Sequence, residues 1–155
     1  MRLAPAVPVL ITGLTACGGP GDPADIGMEV NVALSTSSAS SAPLGDTVTV
    51  TVAAFNTTGE QLSLSFLGPC SVTFEVLDST GNVVAPEPPI CPIIDWVPTP
   101  AAGQSIALGL EWRGERQPGA GDYLAPGTYR VRGVLDTRSG PLRGQSAILQ
   151  LTAAP

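Results

Sequence analysis

Thr47-Val48-Thr49-Val50-Thr51-Val52 places valine at every second position and threonine between. In an extended chain successive side chains point to opposite faces, so the valines share one face and the threonines the other. β-Branched residues suit a pleated, half-buried surface, and the segment reads as a strand with one side on a core. A helix would scatter the same valines around its circumference.

The alternation continues in both directions. Met28, Val30, Val32 and Leu34 alternate with Glu29, Asn31 and Ala33, which predicts a first strand, followed by a Ser-rich connection from Ser35 to Ser41. Beyond Val52, Asn56-Thr57-Thr58-Gly59 reads as a turn into Leu62, Leu64 and Phe66. That pattern predicts a hairpin with its two apolar faces on the same side. Val72, Phe74 and Val76 form the next strand, closed by Asp78-Ser79-Thr80-Gly81-Asn82, before Val83-Val84 resumes briefly. Six prolines between residues 86 and 100 cannot donate to a sheet, so this stretch is expected to be an ordered loop or an edge crossing. Ile106, Leu108, Leu110 and Trp112 alternate again. Tyr129, Val131, Gly133 and Leu135 follow Ala125-Pro126-Gly127-Thr128, whose Pro-Gly pair fits a type II turn, and Ala147, Leu149 and Leu151 come last. About seven short strands with no helical pattern predict an all-β chain, a single antiparallel β-sandwich over residues 28–155.

Composition narrows the function. The 155 residues include 18 glycines and 16 prolines, 43% are hydrophobic and only 13% are charged. That is too apolar for a disordered chain and enough for one core. The formal net charge is −6, and all seven basic residues are arginine. No basic cluster is present to neutralise a phosphate backbone, which argues against nucleic acid as a partner, and the same shortage argues against charge-driven attraction to anionic lipid. Histidine and lysine are absent, which removes Ser-His-Asp, Cys-His and Ser-Lys catalysis and every His-based metal site. Paired carboxylates are what remains of enzyme chemistry.

The first residues carry a targeting pattern. Arg2 precedes a run of mostly small or apolar residues from Ala4 to Ala16, too short to span a bilayer but suited to a secretory signal. Pro5 and Pro8 disfavour the helix such a segment forms, which leaves either a displaced start or an effective apolar core of Val9 to Ala16. Leu14-Thr15-Ala16-Cys17 resembles the bacterial lipobox, in which an aliphatic residue and two small ones precede the cysteine that receives diacylglycerol. The resemblance implies cleavage before Cys17 and a lipid anchor, since acyl chains partition into the bilayer at about 0.8 kcal/mol per buried CH₂. The expected organisation is a signal peptide at 1–16, a flexible tether at 17–27 built on Gly18-Gly19-Pro20-Gly21-Asp22-Pro23, and the domain at 28–155. Gly18 lacks the acidic character of lipoproteins held at an inner membrane, so outer-membrane placement is expected where that membrane exists. With Cys17 acylated, Cys70 and Cys91 are left as an even pair. In an oxidising compartment they read as one disulfide closing a loop of about 20 residues, worth roughly 3 kcal/mol. Two buried free thiols are the other reading.

From Val48 onward the order of features resembles the intracellular proteinase inhibitor family of the BsuPI type. The matching pieces are Val48 to Phe55 with Asn56-Thr57-Thr58-Gly59, Leu62-Ser63-Leu64-Ser65-Phe66, Phe74-Glu75-Val76 with Gly81, and Glu111-Trp112 with Gly114. The closest is Ala125-Pro126-Gly127-Thr128-Tyr129-Arg130-Val131-Arg132-Gly133. The resemblance implies an immunoglobulin-like sandwich with Trp112 and Tyr129 in its core, and it implies proteinase inhibition. The export signal, the cysteine pair and the Pro-rich insert depart from an intracellular inhibitor, and no inhibitory residue transfers by motif.

The remaining candidates lie in loops. Arg113-Gly114-Glu115-Arg116-Gln117-Pro118-Gly119-Ala120-Gly121-Asp122 is a long polar connection between two well-patterned strands, the usual position of a binding loop on a rigid scaffold. Arg113, Glu115, Arg116 and Asp122 are its candidate binding residues. Arg116 has the charge to enter the pocket of a trypsin-like protease, and a plain strand connection is the competing reading. Glu111, Glu115 and Asp122 offer a paired-carboxylate site, against surface ion pairs with Arg113 and Arg116. Asp22, Asp25 and Glu29 lack calcium-loop spacing, Asp95 beside Trp96 reads as a solvated loop acid, and Asn56-Thr57-Thr58 fits a glycosylation sequon but reads as turn chemistry. No catalytic residue, metal or cofactor is expected. The expected function is a monomeric, lipid-anchored, extracytoplasmic module that binds an envelope protein, a protease among the options. The alternatives are a structural accessory domain or a carbohydrate-binding module.

Overall fold

The computed structural model describes residues 27–36, 38, 40–62, 70–91, 99–137 and 140–155. The signal segment, Cys17, most of the tether, Asp95 and Trp96 lie outside this set. Among the described residues there is no helix, and none that is long and apolar enough to cross a membrane.

Eight strands form two sheets. They are β1 (Met28–Ser35), β2 (Ser41–Pro43), β3 (Val48–Asn56), β4 (Val72–Leu77), β5 (Val83–Ala85), β6 (Ser105–Trp112), β7 (Gly127–Thr137) and β8 (Gly140–Thr152). One sheet runs β1-β3-β6 and the other β2-β8-β7-β4-β5. This is an immunoglobulin-like sandwich, antiparallel except that β2 pairs parallel with β8. Sequence alone predicts a wholly antiparallel fold of about seven strands. The difference is the three-residue β2, too short for alternation to reveal.

β1 and β2 are consecutive in the chain but belong to different sheets, and the Ser-rich connection is where the chain changes sides. Ser40 sits there with a φ of 64°, and its carbonyl accepts from the Gln150 amide at 2.8 Å. β1 then covers the corner of the sandwich, close against β7 and β8. Two glycines make that approach possible. A Cβ on Gly133 would come within 2.7 Å of Val52 Cγ1, and one on Gly144 would overlap the Val30 backbone carbonyl.

The Thr-Val alternation places the residues as expected. Val48, Val50 and Val52 are fully buried, while the threonines between them are half-buried on the other face. Opposite them lie Phe74, Val76, Val131, Leu135, Leu149 and Leu151 from the second sheet. Each such side chain contributes about 1.5–3 kcal/mol by leaving water. Trp112 is 2% exposed and meets the Phe74 ring edge-on at 5.9 Å between centroids. Tyr129, near the start of β7, donates its hydroxyl to the Ala125 carbonyl at 2.8 Å, the corner bond familiar in immunoglobulin-like sandwiches.

Three local expectations are corrected. β3 is paired on both sides, with β1 and with β6, so its neighbours are not the segment after the 56–59 turn; residues 63–69 lie outside the described set. Gly127 does not adopt the positive φ that a type II turn requires and instead opens β7. The last strand begins at Gly140 rather than near Ala147, because β8 carries a bulge in which Gly144 and Gln145 together face Gly133. The extra residue breaks the period-two pattern on which the sequence reading depends.

Candidate functional site

The cysteine pair forms the expected disulfide, Cys70 to Cys91, with Cα atoms 4.8 Å apart. It joins the residue ahead of β4 to the chain beyond β5, clamping the start of the Pro-rich stretch onto the sheet. Next to it, Thr73 Oγ1 donates to the Ile90 carbonyl at 2.8 Å, and Ile90 packs on the core.

Asn56 at the end of β3 is 0% exposed and fully satisfied. Its Nδ2 donates to the carbonyls of Glu60, Pro100 and Ala101 at 2.7, 3.0 and 3.1 Å, and its Oδ1 accepts from the Thr58 amide and hydroxyl. The sequon is therefore a structural knot, as its turn chemistry suggested, and Nδ2 has no room for a glycan.

The connection from β6 to β7 carries all four candidate binding residues and is tightly ordered by its own backbone. The Arg116 amide donates to the Asp122 carbonyl at 2.7 Å and the Leu124 amide to the Gly114 carbonyl at 2.8 Å. Glu115 and Tyr123 form an isolated bridge between the two arms. Buried Trp112 donates its indole N–H to the Glu115 carbonyl at 2.8 Å. Outside the loop, the Glu87 amide donates to the Arg116 carbonyl at 2.7 Å and the Gly45 amide to the Arg113 carbonyl at 3.1 Å. Leu124 is buried and plugs the base.

Glu115 organises the tip. Its carboxylate accepts from the Gly119 amide at 2.7 Å and the Gly121 amide at 3.3 Å, two donors that a tight loop would otherwise leave to water. Gly119 and Gly121 take φ values of 77° and 70°, which turns their amides inward. Glu115 is thus occupied in holding backbone, a role that competes with acid–base chemistry. Arg113 and Arg116 make no ion pair with a described residue, so the expected surface pairs with Glu111, Glu115 or Asp122 do not form. Arg113, Arg116 and Asp122 are exposed, and Glu111, Trp112, Arg113, Glu115, Pro118 and Gly119 help line a shallow depression of about 280 Å³. No group of three or more metal-ligating side chains occurs among the described residues.

A second polar feature was not singled out from sequence. On the outer face of the five-stranded sheet, Glu75 of β4 bonds Arg132 of β7, Nε to Oε2 at 2.6 Å, and Arg143 of β8, Nη2 to Oε1 at 3.2 Å. Glu75 and Arg132 are cross-strand neighbours, whereas Arg143 reaches it across the whole of β7. The available signal was Glu75 in Val72-Thr73-Phe74-Glu75-Val76 and Arg130 and Arg132 beside Tyr129 and Val131: charges at the outward positions of apolar strands.

No protein-family model matches the sequence, and no curated protein matches it. Segments of solved structures are similar to this chain. The alkylpurine DNA glycosylase AlkC of Pseudomonas fluorescens, bound to DNA containing an abasic site analogue, is similar with a TM-score of 0.52 and 18% identity, over 86% of this chain and 32% of that one. A β-glucosidase variant from Listeria innocua in complex with laminaribiose gives a TM-score of 0.46 and 13% identity, over 82% of this chain and 16% of that one. This chain thus spans about a third of the glycosylase and about a sixth of the glucosidase, and at 18% identity the likeness to the glycosylase is one of fold.

Proposed function

We propose that this chain is a lipid-anchored, extracytoplasmic immunoglobulin-like module that binds a protein partner of the cell envelope through the connection between β6 and β7. The observation that carries the reading is the tip fixed by Glu115, which holds Arg116, Gln117 and Pro118 exposed in one conformation. A loop ordered before binding loses less entropy on docking, which favours recognition by a rigid scaffold. The Cys70–Cys91 disulfide is compatible with an oxidising compartment, and the lipobox at Cys17 supplies the route to a membrane. Proteinase inhibition, implied by the family resemblance, is one special case.

The test places a photo-crosslinking residue at position 116, and as control at exposed Ala33 on edge strand β1, in the anchored protein on intact cells. One covalent partner from position 116 that is absent from position 33 is expected. Equal labelling from both, or none, would instead leave a structural accessory domain. For the anchor, metabolic labelling with an alkyne fatty acid is expected to disappear in Cys17→Ser; persistence would sink the lipoprotein reading. The purified protein is expected to inhibit no common serine protease strongly, and nanomolar inhibition abolished by Arg116→Ala would make it an inhibitor after all.

A further inference from the structure

The outer face of the five-stranded sheet gathers positive charge in an acidic protein. The described residues include ten side-chain carboxylates and five arginines, and three of those arginines, Arg130, Arg132 and Arg143, lie together on this face around the carboxylate of Glu75. Glu75 is 18% exposed and is shared by two guanidinium groups, so it neutralises one charge and orients both. Arg130 makes no ion pair with a described residue and is exposed. Asp136 stands on the same face toward the end of β7, so the three arginines outnumber its carboxylates and leave a net positive charge, with Arg130 the guanidinium that has no competing ion-pair partner among the described residues.

Beside them is an open depression of about 520 Å³ lined by Leu77, Gly81, Arg130, Arg132, Gly144, Gln145 and Ser146. Its walls are made by features that would otherwise be costly. Gly81 turns at a φ of 92°, which glycine adopts without strain, and it lies beside Arg130, whose Nη2 would be in ordinary contact at 3.5 Å from a Cβ there. The bulge at Gly144-Gln145 lifts β8 out of register with β7 and turns exposed Gln145 and Ser146 to the same hollow. Neither side chain has a hydrogen-bond partner among the described residues, so both offer donors. Asp78, the nearest carboxylate along the chain, has its Oδ1 taken up by the Thr80 amide and hydroxyl and by the Asn82 amide.

We infer that this hollow, framed by Arg130, Arg132, Gln145 and Ser146, binds the oxyanion of a small polar ligand, a carboxylate or a phosphate, for which two sugar acids serve as probes. Guanidinium groups pair with such oxyanions through two parallel N–H bonds, and neighbouring amide and hydroxyl donors complete the shell. The volume lies in the range of small-ligand sites. The walls lack the exposed aromatic anchors on which protein interfaces concentrate their energy, so a small anion suits the hollow better than an acidic protein surface. The site is distinct from the β6–β7 connection and does not depend on it.

The test uses the full ¹⁵N-labelled chain in neutral detergent micelles, titrated with glucuronate, glucose 6-phosphate and glucose at constant ionic strength. Saturable amide shifts at Gly81, Gln145 and Ser146 with either acid, and none with glucose, are expected; which of the two acids binds more tightly tells carboxylate from phosphate. Arg130→Gln is expected to weaken binding about tenfold, the scale of one charge-assisted contact. Ser146→Asp, an exposed change that leaves the core alone, is expected to abolish it. Equal shifts with sodium chloride, no shifts with either acid, undiminished binding in both variants, or tighter binding of an acidic peptide than of either sugar acid would each overturn the assignment.

Discussion

Trp112 of β6 and Phe74 of β4 meet edge to face across the two sheets, their ring planes at 64° and their centroids 5.9 Å apart. These are the two largest fully buried side chains among the described residues, and through the indole N–H the pair also holds the Glu115 carbonyl of the loop. Core packing and loop geometry thus share one side chain. Phe74→Ala is expected to lower the unfolding free energy by about 3–5 kcal/mol, through lost burial and a cavity. Trp112→Phe keeps most of the volume but leaves the Glu115 carbonyl without its donor, at about 1–3 kcal/mol. Urea unfolding of each variant checks both values, and an unchanged midpoint for Phe74→Ala would remove the pair from the core.

Asn56 tests the knot at the end of β3. Asn56→Ala removes the side chain that serves three carbonyls and two donors of Thr58. A loss above about 2 kcal/mol is expected, because several buried groups are left unsatisfied together. Asn56→Asp keeps the acceptor for Thr58 but turns a carboxylate oxygen toward carbonyls, and it is expected to be no better tolerated. Denaturant titration of the two variants side by side is the measurement.

Replacing Cys70 and Cys91 together by serine is expected to lower stability by about 3 kcal/mol, since the bridge closes a loop of 21 residues in the unfolded chain. The same loss is expected on adding a reductant to the unaltered protein. Thermal unfolding with and without reductant checks it, and the double serine variant should not respond to reductant.

The loop prediction separates order from stability. Glu115→Ala removes the acceptor of the Gly119 and Gly121 amides on an exposed tip. Global stability is expected to change by less than about 1 kcal/mol, as for other exposed contacts, while hydrogen exchange at those two amides accelerates. If both amides keep their protection, Glu115 does not order the tip.

Asp78 offers a pH test at the turn between β4 and β5. The Thr80 hydroxyl foremost, with the Asn82 and Thr80 amides, holds its carboxyl below the ordinary value of 3.8. A carboxyl lowered in the folded state adds stability above its unfolded value, and that contribution is lost as pH falls through the folded one. NMR titration should therefore place Asp78 below 3.8, and Thr80→Val should move it back up. No upward movement would show that the hydroxyl is not the cause.

Much of this protein was legible from local pattern. Val48, Val50 and Val52 announced the buried face of β3, and Ile106 to Trp112 announced β6, because inward and outward positions alternate wherever a strand lies on a core. Cys70 and Cys91 were legible as a pair by count. The four loop residues were legible as a loop, but not as a carboxylate holding two glycine amides, since Glu115 meets Gly119 and Gly121 only when their φ values are positive.

What lay beyond sequence was adjacency. Alternation says which way a side chain points and nothing about which strand comes next, so the passage of β1 and β2 into different sheets and the placement of β3 between β1 and β6 follow from closing the sandwich. The bulge at Gly144-Gln145 likewise erased the alternation that would have marked the start of β8. Glu75, Arg132 and Arg143 are far apart in the chain and stand on three neighbouring strands; register alone brings them together. Where alternation runs unbroken for several residues, the strands and their buried faces follow from local spacing and from the transfer of apolar groups from water. Which outward-facing charges share a surface depends instead on strand order and register, which no single strand encodes.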